Sequence, residues 1–212
     1  MPEKGTLHDA FIDELRDMYD CEKQLTKALK KLARAASEDR LRMAFESHLE
    51  ETTGQVERLD QVFESLGERA RGKHCDGIAG IIEEGKALLE EEFDTDTMDA
   101  CLIAASQRAE HYEIAAYGSL IAWGQAMGHT RAVKLLQQNL EEEKAADEKL
   151  SALAEGGINQ RAAEMAHPGE EGEEEGEEGE EMEMATTARG NSSAGRGSSN
   201  RKTSSSSRSR KR

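Results

Sequence analysis

This sequence predicts an all-α fold, a bundle of four long helices with one shorter helix added. Three observations carry that expectation. Only two prolines occur in 212 residues, Pro2 and Pro168, so about 165 residues run free of a breaker that costs ~3 kcal/mol inside a helix. Alanine, leucine, glutamate and lysine dominate the same stretch, and all favour helix. Apolar residues recur at alternating spacings of three and four, which keeps them on one helix face.

The first helix is expected over about 6–35, with Thr6 as N-cap and Asp9 in the first turn. Its inward line is Phe11, Leu15, Met18, Glu22, Leu25, Leu29 and Leu32. The second is expected over about 38–66, capped by Ser37 and stopped by Gly67. Leu41, Phe45, His48, Thr52, Gln55, Leu59, Val62 and Leu66 form its line, with Glu51 on the flank. The segment "GERARGKHCD", 67–76, reads as a connection, followed by a shorter helix over about 77–92 with Ile78, Ile81, Ile82, Leu88 and Leu89. A third long helix opens at "DTDT", 94–97, and runs to about 127. It aligns Ile103, Ser106, Glu110, Glu113, Tyr117, Leu120 and Gly124. After "MGHT" the fourth, about 130–155, shows Leu136, Leu140, Glu143, Asp147, Leu150 and Ala154. Roughly 28 residues separate the second and third long helices, far more than a tight turn needs. A crossover of that length is what the ferritin-like version of the four-helix bundle requires.

The expected domain is the bundle, 1–166, followed by a tail, 167–212. The tail holds a Glu/Gly run, 169–183, and a Ser/Arg/Gly run, 188–212. Neither half carries enough apolar surface to fold alone, so disorder is expected. The net charge is −16. Eight Lys/Arg against ten Glu from Pro168 onward leave −2 on the tail and −14 on the bundle. That acidity excludes a nucleic-acid face on the bundle and leaves only the basic end of the tail for such a contact. No segment approaches the ~18 consecutive apolar residues of a membrane span, and the first residues lack the order of a signal peptide. A cytoplasmic protein is the expectation. Cys21, Cys75 and Cys101 show no metal-finger or redox spacing, and their odd number argues against a disulfide frame.

The chemistry lies where each long helix interrupts its apolar line. Glu22 does so on the first helix, and His48, Glu51 and Gln55 on the second. Glu110 and Glu113, with Tyr117 a turn later, do so on the third, and Glu143 and Asp147 on the fourth. Residues three or four apart share a face, so each set points as a unit. An unpaired carboxylate inside a bundle costs several kcal/mol even after relaxation. No lysine or arginine shares those lines. Two divalent or trivalent metal ions are the expected countercharge, and carboxylate-rich shells suit iron, with manganese as the alternative. His111 points off the line, and Trp123 reads as core or interface.

Four stretches, "YDCEKQLTKAL", "HLEETTGQVERLDQVF", "AEHYEIAAYGSL" and "LEEEKAADEKL", resemble the YciF-like, stress-associated branch of the ferritin-like superfamily. The resemblance spans about residues 6–160. It implies a rubrerythrin-like four-helix bundle with a short fifth helix, often a homodimer. In the rubrerythrin-like pattern the first helix supplies a glutamate, matched by Glu22, and the third supplies Glu-x-x-Glu, matched by Glu110 and Glu113. The second and fourth supply Glu-x-x-His. Glu51 and Glu143 match the glutamates, but Gly54 and Ala146 stand where the histidines would be. Gln55 and Asp147, one residue further, and His48, on the other side of Glu51, are the candidate substitutes.

The function expected from inward acids and resemblance together is a dinuclear-metal, stress-related protein that binds or oxidises iron or consumes peroxide. The alternative is a non-enzymatic structural or assembly protein whose basic tail touches nucleic acid or acidic partners.

Overall fold

The first rod, α1 (Leu7–Ala35), begins as its sequence predicts. Thr6 and Asp9 form a reciprocal capping box: the Thr6 hydroxyl oxygen accepts from the Asp9 amide at 3.3 Å, and Asp9 Oδ2 accepts from the Thr6 amide at 3.0 Å. A computed structural model of the chain describes residues 5–166. The tail for which disorder is expected lies outside them. Among the described residues every regular element is helical, and no helix is long and apolar enough to cross a membrane.

The second rod, α2 (Asp39–Ser65), departs from the expected cap. Glu38, not Ser37, holds the N-cap position. The Ser37 hydroxyl instead donates to Asp99 Oδ2 at 2.6 Å, and the same carboxylate accepts from the Ser37 and Glu38 amides at 2.9 and 2.8 Å. Glu38 itself caps the Arg40 amide at 3.5 Å, while an acid 62 residues away in sequence holds the amides just before the helix. Gly67, at φ 71°, ends α2 in the left-handed conformation that glycine adopts without steric cost.

The short helix is α3 (Asp76–Leu88), which ends before the predicted boundary. The third and fourth rods are α4 (Thr95–Ala126) and α5 (Thr130–Leu153). After α5 comes a wider π turn over Ala154–Ile158 and then α6 (Asn159–Ala166). The periodicity predicts a single helix to about 155 and neither of these elements. Gly157 allows the change of direction with φ at 124°. Arg161 of α6 then reaches Asp96 at 2.8 Å and Glu38 at 3.0 Å.

Helix neighbours run in a ring: α1 beside α2, α2 beside α5, α5 beside α4, and α4 beside α1. The Asp99 contacts show that α2 and α4 begin at the same end of the bundle. They therefore run parallel, and the chain must return a rod's length, about 40 Å, between them. The crossover does so along α1. Lys73 N–H donates to Arg16 O at 2.9 Å, Cys75 N–H to Asp20 Oδ2 at 3.0 Å, and Gln24 Nε2 to Cys75 O at 3.2 Å. The predicted four-helix bundle with a long crossover holding a short fifth helix is the fold observed. Its apolar interior is in two parts. One gathers Phe11, Met18, Phe63 and Leu136, the other Leu29, Phe45, Ile103 and Leu150. A polar layer from all four rods lies between them.

Candidate metal centre

The polar layer is set by helix phase. Glu22 falls between Met18 and Leu25 on α1, and His48 between Phe45 and Thr52 on α2. Glu110 and Glu113 continue the buried line of Ile103 and Ser106 on α4, and Glu143 follows Leu136 and Asn139 on α5. Glu22, Glu110, Glu113 and Glu143 are each at most 1% exposed, and His48 is 6% exposed. Sequence alone places these acids inward; the structure brings them to the same level.

His48 Nε2 stands 3.2 Å from Glu110 Oε2 and 3.5 Å from Glu143 Oε2. One donor atom from each of His48, Glu110, Glu113 and Glu143 lies within 4.8 Å of the others, a group that can hold a metal ion. Ser106 Oγ donates to Glu110 Oε1 at 3.2 Å. Gln55 Nε2 donates to Glu143 Oε1, and also to Glu142 Oε2 at 3.2 Å. Glu22 adjoins the group and accepts a hydrogen bond from the Tyr117 hydroxyl. Behind it Asn139 Nδ2 donates to Tyr117 Oη at 2.9 Å, and Arg58 Nε donates to Asn139 Oδ1 at 2.5 Å.

The charges are poorly matched. Among the described residues no lysine or arginine forms an ion pair with Glu22, Glu110, Glu113 or Glu143. Burial pushes Glu22 up to about 7 despite the Tyr117 hydrogen bond. Burial, reinforced by Glu143 and Glu22, raises Glu113 well above the usual carboxylate range, and burial raises Glu143 likewise. Burial opposes charge on His48, but Glu110, Glu51 and Glu143 overcome it and hold the imidazolium. Glu110 is also penalised by burial, and His48 outweighs that penalty and lowers it. Without a metal, protons and one imidazolium balance the acids. Glu22 Oε2 is buried without a hydrogen bond, and Glu110 Oε2 and Glu143 Oε2 share the single His48 Nε2. Buried oxygens of this kind are costly unless something positive faces them, and the donor set of carboxylates with one imidazole suits a hard or intermediate cation.

Of the eight residues expected to hold metal, the structure draws His48, Glu110, Glu113 and Glu143 into that group and sets Glu22 and Gln55 against it. Glu51 is only partly buried, and its Oε2 lies 3.3 Å from His48 Nδ1, on the ring edge facing away from Glu110 and Glu143. That position orients the imidazole, as a carboxylate behind a ligating histidine does. Asp147 lies apart from the group. Its Oδ1 accepts from Gln107 Nε2 at 3.0 Å and its Oδ2 is 3.3 Å from His111. The line of α5 runs through Asn139 and Ala146, whereas Leu140 and Asp147 stand one position off it. Asn139 was legible by the same count, being three after Leu136 and four before Glu143. Cys21, Cys75 and Cys101 are free thiols, and Cys21 Sγ is 4.0 Å from Glu113 Oε1.

Residues 6–163 match the family described as "Domain of unknown function (DUF892)". The chain belongs to that family. It is 48% identical over 162 residues to Protein YciF of Escherichia coli (strain K12), covering 76% of this chain and 98% of that protein. The crystal structure of the E. coli stress protein YciF superimposes with a TM-score of 0.71, over 74% of this chain and 99% of that one. YcfI from Rhodopseudomonas palustris, 45% identical, gives 0.69 over 71% of this chain and 96% of that one. A protein from Xanthomonas campestris pv. campestris, 21% identical over 76% of this chain and 99% of that one, shares the fold with a TM-score of 0.60. The chain is thus a homologue of the stress protein YciF with a buried Glu/His group in its bundle.

Proposed function

We propose that the bundle holds a pair of redox-capable metal ions, iron or in its place manganese, and uses them to bind or oxidise iron or to consume peroxide under stress. The observation that carries this reading is the charge imbalance in the polar layer. Four buried carboxylates share one imidazole, and Glu22 Oε2 lacks any hydrogen bond. With His48 neutral and ligating, two divalent ions bring that layer to zero net charge, whereas one leaves it at −2. Bound iron(II) would supply electrons for reduction of dioxygen or peroxide. The chain's own part is positional. His48 Nε2, Glu110, Glu113 and Glu143 would hold the ions, and Glu22 would close the open side. Glu51 would keep a proton on His48 Nδ1, leaving Nε2 free to ligate. The two apolar parts of the core exclude bulk water above and below.

Metal analysis tests the proposal. Protein purified without chelators and loaded anaerobically with iron(II) is expected to retain about two ions per chain, each group binding only when deprotonated. Oxygen or peroxide uptake on that sample should follow the iron content. Fewer than about 0.2 ions per chain after loading would sink the idea and leave a helical scaffold.

A further inference from the structure

A cavity of about 260 Å³ opens between α1, α3 and α4. Its floor is the candidate centre, where buried His48, Glu110 and Glu113 line it. Its walls are aliphatic: Leu25, Leu29, Ile81, Ile82, Leu89 and Ala105 face the space. Its rim carries three exposed lysines, Lys27, Lys31 and Lys86. Apart from the two glutamates of the floor, no acidic side chain lines it. Lys86 pairs with Glu83 at 2.6 Å, while Lys27 and Lys31 form no ion pair among the described residues. On a chain with net charge −16, this is a local reversal of sign.

Each feature restricts the occupant. An aliphatic bore gives a hydrated ion no replacement for its water, so a simple anion gains nothing by going in. Lysines at the rim attract an anionic head, and the acids of the floor repel one, so the charged end stays outside and an apolar chain points inward. A dry cavity of about 150 Å³ accommodates a six-carbon ring, so 260 Å³ accommodates on the order of ten carbon-sized atoms. A second cavity, about 90 Å³, reaches His48 and Glu110 from between α2, α4 and α5, and is too small for such a chain.

We propose that the larger cavity binds a straight-chain aliphatic carboxylate of about ten carbons, its head at Lys27, Lys31 and Lys86 and its methyl end against the His48–Glu110–Glu113 floor. This goes beyond the function proposed above, whose reactants are iron and an oxidant: it names an organic ligand, and its binding needs no metal.

Isothermal titration calorimetry of the full chain, metal-free and manganese-loaded, tests the site with carboxylates of about six to fourteen carbons. Affinity is expected to rise about fourfold per added methylene, the factor for burying one CH₂. It should level off near ten carbons, where the bore is full. Decyltrimethylammonium, with the same tail and opposite charge, should bind at least about tenfold more weakly than decanoate at low salt. The exposed pair Lys27→Glu and Lys31→Glu should weaken decanoate by about tenfold or more and leave decanol unchanged. Gly85→Leu should abolish binding of all three, because a Cβ there meets only Ala105 Cβ, at 3.8 Å, and the rest of the side chain fills the bore. Absence of saturable decanoate binding, equal affinity for the cationic amphiphile, or indifference to the lysine reversals overturns the site. So does sedimentation showing that those reversals split a dimer while decanoate fails to bind, since a second copy would then cover the mouth. Metal content measured on the same samples separates the two proposals: intact metal without carboxylate binding overturns only this one, and the converse overturns only the metal reading.

Discussion

Glu113→Gln should move the stability of the metal-free and metal-loaded protein in opposite directions. Glu113 shares its site with Glu110 and Glu143, with donor atoms no more than 4.8 Å apart, and with His48 at the same range. At an effective dielectric constant of about 20, two unit charges at that distance interact by about 3 kcal/mol. Within that group two repulsions and one attraction leave a net penalty of about 3 kcal/mol for ionising Glu113, to which burial and repulsion from Glu22 add. The amide keeps the shape and removes that charge. Metal-free protein at about pH 8 should therefore gain on the order of 3 kcal/mol, or roughly 5–10 °C in Tm for a domain of this size. The loaded protein should change the other way. Metal at about a hundred times its Kd stabilises by about 2.7 kcal/mol, and a variant that no longer binds loses that increment. Thermal melts followed by circular dichroism, in chelator and then in manganese(II), with metal analysis of both samples, read the two signs directly. A lower metal-free Tm, or unchanged metal content, would refute the reasoning.

Other perturbations follow from the same contacts. His48→Gln removes the cation facing Glu110 and Glu143, so metal-free protein near neutral pH should lose about 3–5 kcal/mol in denaturant titrations. Between about pH 5 and 8 the metal-free protein should become less stable as pH rises. Glu22, Glu113, Glu143 and His48 all bind protons more tightly folded than unfolded, so their contribution is complete below the unfolded values and is lost as pH climbs through the folded ones. For Glu22, moved from 4.5 to about 7, that loss is on the order of 3 kcal/mol. Metal binding displaces the same protons, so affinity measured by competition with a chelator should rise over that range. Asp99→Ala strands three donors at the start of α2 and should cost about 2–3 kcal/mol in denaturant titrations, with metal content unchanged.

Much of the centre was legible because helix phase is a local property. Counting by three and four put Glu22, His48, Gln55, Glu110, Glu113 and Glu143 on inward lines, and each is buried. The count failed where adjacent positions compete for the same line. In "QQNLEEEKAADEK" both Asn139–Glu143–Ala146 and Leu140–Glu143–Asp147 keep the spacing, and only packing against α2 and α4 selects the first. Glu51 shows the same limit at a flank, where a turn of a few tens of degrees separates a metal-facing carboxylate from one that holds a ligand's far nitrogen. Ser37 reads as a sound local cap, yet a carboxylate from another helix takes its hydroxyl and leaves Glu38 to cap the Arg40 amide.

By itself the sequence determined the first five helices, their approximate ends, the length of the crossover and the acid content of the inward faces. All of these depend on neighbours within a few turns of one chain segment, where propensity and periodicity act. The tertiary structure alone decided that the acids of four rods meet at one level, that His48 is the cation between them, that Asp147 stays outside, and that a lysine-rimmed cavity descends to the same floor. Those outcomes depend on the axial offset and rotation of one helix against another. Packing of whole surfaces sets both, and no spacing within a single helix encodes them.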